Sequence, residues 1–126
     1  MISACIALVV GGAMTMLPVE RFTLAWTHSI EKVRWEEDYV LRSHGLEPVA
    51  ARIHGNGAGM EIPEGAVWRD NVWHYTPRLA PLAVLRLARS PYVSDYEICR
   101  QGHCQGIAQL VSGSAVGDAL EVRPCR

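Results

Sequence analysis

Positively charged side chains are few and scattered in this 126-residue chain, which has 12 Lys and Arg residues against 13 Asp and Glu residues. Lys32 is the single lysine, and no run of basic residues occurs anywhere in the sequence. Proteins that bind nucleic acid through charge need a concentrated basic surface. The formal net charge of −1 therefore argues against a nucleic-acid partner.

Charged side chains are absent from residues 1–19. No Lys or Arg precedes the apolar run, no small-residue cleavage site follows it, and a Gly-Gly pair and Pro18 interrupt it. Its length is marginal for a membrane span. We therefore predict two core strands, Cys5–Val10 and Met14–Val19, and keep an export signal or membrane anchor as the alternative.

Cofactor motifs are also missing. The loop His54–Met60 is rich in glycine, and its backbone N–H groups could face an anion. A dinucleotide fingerprint needs a helix directly after such a loop, but Pro63 and Gly65 follow instead and forbid one. We expect a structural loop, with the rim of a ligand site as the alternative, and no cofactor.

Close cysteine pairs of the Cys-x2-Cys type do not occur among the four cysteines, Cys5, Cys99, Cys104 and Cys125. Cys99 and Cys104 flank a predicted hairpin turn at Gln101-Gly102, where a disulfide could join them. A metal site that includes His103 and a set of free buried thiols are the alternatives. A disulfide would imply an oxidising compartment such as the cell envelope or periplasm, and free thiols the cytoplasm.

Short strands separated by turns about every ten residues predict an all-β fold, an antiparallel β-sandwich or barrel of short strands, in a single domain over residues 1–126. A hairpin is predicted over Ala66–Tyr75, with Trp68 and Trp73 paired across it. The remaining predicted strands are Pro48–Ile53, Leu82–Leu87 (covered on both faces), Tyr92–Cys99, Gly106–Val111 and Leu120–Arg123.

The stretch Phe22–Leu41 concentrates aromatic and acidic side chains, and we interpret the rest of the chain as a sheet built around it. Its apolar residues alternate with polar ones on both sides of a polar corner, which predicts two strands, the second beginning near Val33. A helix over residues 30–44 is the alternative, because Glu, Lys, Arg and Leu favour helices. Trp35 and Tyr39 fit the apolar stripe of that helix poorly.

Glu37 is an exception to the alternation, because it is a charged residue at a position whose side chain points toward the apolar face. A carboxylate there needs a partner or must take up a proton. His28 and Lys32 are the nearest candidates, and an arginine from another strand is a third. A buried pair of His28 with Glu37 would simply fix the corner between the two strands.

Three motifs carry a resemblance to a known family: Trp26-Thr-His-Ser-Ile-Glu-Lys with the downstream Glu37 and Tyr39, Gly55-Asn-Gly-Ala-Gly, and the Cys-x4-Cys hairpin with its terminal cysteine. Over nearly its whole length the chain resembles a bacterial family, the domain of unknown function numbered 1850. The resemblance implies no established activity. It implies genes beside tripartite (TRAP-type) solute transporters of the TAXI class, and an N-terminal membrane or export segment in many relatives. The positions that match the family motifs are His28, Ser29, Glu31, Glu37, Gly57 and Gly59.

Three functions compete on this basis. The first is a small β-rich binding or accessory module, whose partner is a small-molecule ligand or a transporter component. The second is a hydrolase, in which another histidine (His44, His54 or His74) approaches Ser29, since His28 and Ser29 point to opposite faces of a strand. The third is a metal site made by His28 and Glu37, to which His54 or His74 could be added. We favour the binding module over an enzyme.

Overall fold

The computed structural model describes residues 4–27, 32–55, 62–91, 94–113 and 118–125. Within these ranges the chain forms eleven strands and one short helix. In chain order they are β1 Ile6–Val10, β2 Ala13–Leu17, β3 Arg21–Thr27, β4 Arg34–Arg42, β5 Gly45–His54, β6 Val67–Arg69, β7 Val72–Tyr75, β8 Leu85–Leu87, β9 Glu97–Arg100, β10 His103–Gly106, α1 Ile107–Leu110 and β11 Leu120–Pro124.

Two antiparallel sheets contain these strands. The smaller sheet has the order β2-β1-β11-β8, and the larger has the order β10-β9-β3-β4-β5-β7-β6. Their facing side chains form one core, made of Ile6, Leu8, Val10, Leu17, Phe22, Leu24, Tyr39, Leu46, Leu85, Ile98, Ile107, Val111, Leu120 and Val122. The predicted all-β fold is confirmed, and its form is a sandwich.

The apolar N-terminal segment forms the first hairpin of the smaller sheet. Ile6, Leu8 and Val10 of β1 are each at most 1% exposed, as expected of a strand in the core. In β2, by contrast, Met14 and Met16 are 53% and 59% exposed, because β2 is an edge strand whose alternate residues face outward. No helix in the described ranges is both long and apolar enough to cross a membrane.

Two hairpins turn at the predicted residue pairs. Asp70 and Asn71 have φ of 54° and 62°, and Gln101 and Gly102 have φ of 51° and 78°. Two successive positive φ angles match the right-handed twist of the flanking strands, and Asn, Asp and Gly tolerate them. Both predicted turns are therefore confirmed.

The predicted strand near Val33 is also confirmed, since Arg34–Arg42 is a strand and the alternative helix is wrong. Trp35–Arg42 of this strand pairs with β5, with a register shift between Asp38 and Tyr39. The strand predicted over Pro48–Ile53 extends in both directions, to Gly45 and His54.

Gly45 begins β5 at a point where the backbone of Leu82 comes very close. A Cβ at Gly45 would lie 2.6 Å from the carbonyl oxygen of Leu82, and the φ of Gly45 is +144°. The next residue, Leu46, exchanges two backbone hydrogen bonds with Leu82, of 2.8 and 2.7 Å. A side chain at position 45 would push the larger sheet away from the segment that leads to β8.

The strand predicted over Leu82–Leu87 is shorter than expected, and the prediction that it is covered on both faces is wrong. Only Leu85–Leu87 forms a strand, and its central residue, Arg86, is exposed. Because Leu85 is buried and Arg86 faces solvent, the strand is covered on one face. The predicted Tyr92–Cys99 strand begins at Glu97, and Tyr92 lies outside the described residues.

The prediction of a strand over Gly106–Val111, paired with the strand before the cysteine hairpin turn, is also wrong. The strand that pairs with β9 is His103–Gly106, and a helical turn, Ile107–Leu110, follows it. The side-chain oxygen of Gln109 accepts a 2.9 Å hydrogen bond from the backbone N–H of Gly106, which satisfies a donor at the helix start. Ile107 and Val111 are both buried, so a helical turn brings two apolar side chains to the core.

Candidate binding site around Glu37

Glu37 lies on the face of the larger sheet that packs against the core. Its cross-strand partners are Leu24 on β3 and Ala51 on β5, which are 1% and 2% exposed. Cross-strand partners share a face, so the structure places the Glu37 carboxylate where the alternation of the sequence predicts it. Glu37 itself is only partly buried.

Tyr39 is the hydrogen-bond partner of this carboxylate. Its hydroxyl donates a 2.7 Å bond to Oε1 of Glu37, and the tyrosine is 2% exposed. Lys32, one of the predicted partners, is exposed, and His28 lies outside the described residues. Among the described residues no ion pair joins Glu37 to a basic side chain.

Two further tyrosines lie within the electrostatic reach of Glu37. Burial raises the pKa of Tyr39 and Tyr75, and the negative charge of Glu37 raises both further. Burial also raises the pKa of Tyr96, with Asp95 and then Glu37 adding to the effect. All three hydroxyls therefore stay protonated and neutral, and they remain hydrogen-bond donors around one carboxylate.

A stacked tryptophan pair occupies the neighbouring position on the same face. Trp26 and Trp35 are cross-strand partners with ring centroids 5.9 Å apart and an interplanar angle of 27°. The ring of Tyr96 lies 6.0 Å from that of Trp26. All three rings are partly exposed. We refer to Glu37, Tyr39, Tyr75, Tyr96, Trp26 and Trp35 together as the Glu37 site.

The Glu37 site combines one carboxylate with the π-electron faces of several aromatic rings. Aromatic faces carry partial negative charge and attract cations within about 6 Å of the ring centroid. A carboxylate adds a full negative charge and can accept about four hydrogen bonds. The chemistry of this set favours a positively charged group with an apolar body.

The predicted tryptophan pair lies farther along the same sheet. Trp68 on β6 and Trp73 on β7 are cross-strand partners, with ring centroids 5.2 Å apart and an interplanar angle of 58°. Trp73 also pairs with the fully buried Ile53. The prediction of cross-strand packing is confirmed, and Trp68, which is 43% exposed, lies on the edge strand of the larger sheet.

On β4 and β5, the face of the larger sheet opposite Glu37 carries a charged network. Arg52 donates a 2.8 Å bond to Glu36 and bonds of 2.9 and 2.7 Å to both carboxylate oxygens of Asp38. Arg34 donates a further 2.9 Å bond to Glu36. Burial alone would raise the pKa of Glu36, but the bonds from His54, Arg52 and Arg34 together lower it to about 2.

The three histidines predicted as further site residues do not lie beside Glu37, and Ser29, the candidate nucleophile of the hydrolase hypothesis, lies outside the described residues. His54 bonds Glu36 at 3.0 Å, and His74 is the cross-strand partner of Arg52, so both lie on the charged face and away from Glu37. His44 contacts its neighbour Ser43. His54 and His74 therefore do not join Glu37, and the predicted ligand His28 lies outside the described residues. The described ranges contain no cluster of three metal-ligating residues.

All four cysteines form disulfides. The predicted Cys99–Cys104 bond is confirmed, and it joins directly opposite residues of β9 and β10. The second bond, Cys5–Cys125, ties the start of the chain to its end across 120 positions of sequence. The alternatives of free thiols and a cysteine metal site are wrong.

A model of the family described as Domain of unknown function (DUF1850) matches residues 22–107. The chain belongs to this family. No curated protein matches it, and no solved structure matches it. The matched segment runs from β3 to the start of α1, so it holds every strand of the larger sheet and the whole Glu37 site.

Most positions that the family resemblance predicted as site residues lie outside the described residues. His28, Ser29, Glu31, Gly57 and Gly59 lie outside the described residues, and Glu37 is described.

The glycine motif begins at Gly55, which is described. A Cβ at Gly55 would lie 2.9 Å from Cγ1 of Val33, and its φ is +112°. Gly55 therefore allows the residue after β5 to lie close to the residue before β4, and the rest of the predicted loop, residues 56–60, lies outside the described residues.

Sequence reasoning missed Tyr39, Tyr75 and Tyr96 as members of the site. Tyr39 could have been found, because a residue two positions from Glu37 on a strand shares its face. Tyr75 and Tyr96 come from distant segments, and no local pattern connects them to Glu37.

Proposed function

We propose that this protein is a small-molecule-binding module that takes an organic cation at the Glu37 site. The observation that carries the proposal is the partly buried carboxylate of Glu37, held by Tyr39 on an aromatic face of the sheet. A carboxylate in such surroundings is costly unless it is paired. A ligand cation would supply that pairing and gain cation–π attraction from the neighbouring rings.

The Trp26–Trp35 stack gives the proposed ligand an apolar contact beside the carboxylate. Both tryptophan residues are partly exposed, so the stack is accessible in part to solvent. Pockets for small molecules combine apolar walls with a few polar groups that set orientation. The hydroxyl of Tyr39 is already engaged with Glu37, but those of Tyr75 and Tyr96 are neutral donors and would suit a hydroxyl or carbonyl oxygen of the ligand.

We further propose that the module works in an oxidising compartment, the bacterial cell envelope or periplasm, beside a component of a solute transporter. Two disulfides support the compartment, because such bonds persist outside the reducing cytoplasm. The transporter link follows from the family resemblance. In that setting a cation-binding module would hold or deliver a transported solute.

A matched pair of probes tests the ligand chemistry. Choline and its neutral isostere 3,3-dimethyl-1-butanol have the same shape and differ in charge. We expect choline to raise the melting temperature and to change tryptophan fluorescence, and the isostere to do neither, because only the cation pairs with Glu37. Tetramethylammonium tests whether the cationic head alone is sufficient.

Two substitutions localise the binding. Glu37→Gln removes the charge and is expected to abolish the response to choline. Glu47→Gln is the control, because Glu47 lies on the same sheet in an exposed ion pair with Arg42. This substitution should leave the response unchanged. Equal binding of the two probes, no binding by either cation, or an unchanged response in Glu37→Gln would each refute the proposal.

A further inference from the structure

The two disulfides of this protein differ in their surroundings. Cys99–Cys104 links adjacent strands of a tight hairpin, five positions apart, and Cys104 is exposed to solvent. Cys5–Cys125 links residues 120 positions apart, and both of its cysteines are partly buried. A backbone hydrogen bond of 3.0 Å from Cys125 to Cys5 reinforces the second link. An attacking thiol therefore reaches the sulfur of Cys104 more easily than that of Cys99, Cys5 or Cys125.

An arginine contacts both sulfurs of the hairpin disulfide. Nη2 of Arg34 lies 3.8 Å from Sγ of Cys99 and 3.7 Å from Sγ of Cys104. Glu36 and Glu97 hold this guanidinium with bonds of 2.9 Å each. A guanidinium stays charged at every accessible pH, so a fixed positive charge lies beside the two sulfurs.

We propose that Cys99–Cys104 is a site of thiol–disulfide exchange and that Arg34 stabilises the thiolate released there. Thiol–disulfide exchange is faster when the leaving sulfur is stabilised as a thiolate and when the attacked sulfur is accessible. Cys104 supplies the accessible sulfur. Cys99, which is 9% exposed, supplies the leaving sulfur beside Arg34.

The exchange requires an external dithiol, either a small molecule or a reducing protein. One of its thiols loses a proton and attacks Sγ of Cys104, and the electron pair of the broken S–S bond leaves with Sγ of Cys99. The second thiol of the reductant, also deprotonated, then attacks the mixed disulfide and releases Cys104 as a thiolate. The reductant ends as a disulfide, and its two protons pass to the cysteines or to solvent.

The two carboxylates around Arg34 should increase the effect of replacing this arginine. Glu36 and Glu97 carry negative charge that opposes a nearby thiolate, and Arg34 neutralises part of it. Replacement of Arg34 by Gln would leave these carboxylates facing the sulfurs without their cation. The Arg34→Gln variant should therefore slow the release of Cys99 and raise the pKa of both thiols in the reduced protein.

The measurement is a brief pulse of dithiothreitol on the full chain, followed by acid quenching, alkylation and peptide mass spectrometry. We expect Cys99 and Cys104 to be alkylated at least about ten-fold faster than Cys5 and Cys125, which act as the internal control. Arg34→Gln should slow the reduction of Cys99–Cys104 by about ten-fold. Arg42→Gln, at the far end of the same strand, should not change it.

A second readout separates electrostatics from folding. Arg34→Lys keeps a positive charge, and it should retain more of the rate than Arg34→Gln if both variants melt near the wild-type temperature. The pH dependence of alkylation in the reduced protein should shift upward only in Arg34→Gln. Equal reduction of the two disulfides, or an Arg34→Gln variant with the wild-type rate and pH profile, would overturn the proposal.

Discussion

The hydroxyl of Tyr39 donates a 2.7 Å hydrogen bond to Oε1 of Glu37, two residues earlier on the same strand and on the same face of the sheet. The bond lets a carboxylate lie among apolar neighbours without a basic side chain from the described residues. It also fixes the position of the one formal charge in the Glu37 site. Both the stability of this face and its proposed affinity for cations depend on it.

Tyr39→Phe tests the contribution of that bond to stability. Because the buried ring stays in place, the loss is mainly the hydroxyl, and a hydrogen bond to a charged group contributes about 1.5–3 kcal/mol. We expect the free energy of unfolding in urea to fall by about that amount. A change below about 0.5 kcal/mol would show that Glu37 does not depend on Tyr39.

Glu37→Gln should lower the free energy of unfolding by about 1 kcal/mol, less than Tyr39→Phe does. The reason is that the side-chain oxygen of Gln, although neutral, can still accept a hydrogen bond from the tyrosine hydroxyl. The double variant completes a mutant cycle, and the two costs should not be additive, since both residues contribute to one bond. Glu47→Gln, in an exposed ion pair, should cost no more than about 0.5 kcal/mol. Additive effects at Glu37 and Tyr39 would contradict the pairing.

Acid should destabilise the fold through Glu36. Its pKa of about 2 in the folded chain lies below its ordinary value of 4.5. The unfolded state therefore binds a proton first as pH falls, and the stabilisation present above about pH 5 is lost between about pH 5 and pH 2. The largest loss that this shift allows is about 3 kcal/mol. Urea unfolding at a series of pH values measures it.

Arg52→Gln provides the comparison for this pH dependence. Arg52 bonds both Glu36 and Asp38, and its removal should flatten the fall in stability between about pH 5 and pH 2. Arg86→Gln removes an exposed arginine of the other sheet and should leave the slope unchanged. An identical slope in all three proteins would show that the charged face does not set the acid response.

The disulfides should contribute unequally to stability. In the chain-entropy description, a link that closes about 100 residues stabilises by about 4.7 kcal/mol, and one that closes only a few residues by about 2 kcal/mol. We expect the Cys5→Ala/Cys125→Ala pair to lower the free energy of unfolding by more than the Cys99→Ala/Cys104→Ala pair does. Thermal and urea unfolding of both variants measures the difference, and an equal loss would contradict it.

The local features of this fold were predictable from the sequence because they depend on residues close together in the chain. Alternation placed Glu37 on the apolar face with Trp35. Asp70, Asn71 and Gly102 indicated their turns because Asp, Asn and Gly tolerate positive φ. A tight turn between them brought Cys99 and Cys104 face to face. The helical turn after Gly106 was missed, since burial of Ile107 and Val111 outweighed a pattern that suits a strand.

By itself the sequence determined the all-β class, the alternation that turns Glu37 inward, and the hairpins with their turns. These features follow from the sequence because backbone preferences and side-chain alternation act over a few residues. Only the tertiary structure decided which strands are neighbours. It brought Tyr75 and Tyr96 within reach of Glu37, joined Cys5 to Cys125 and set Arg34 beside the hairpin sulfurs. The physical reason is that pairing between distant segments follows from how two whole sheets bury a shared core, and no short stretch of sequence encodes that.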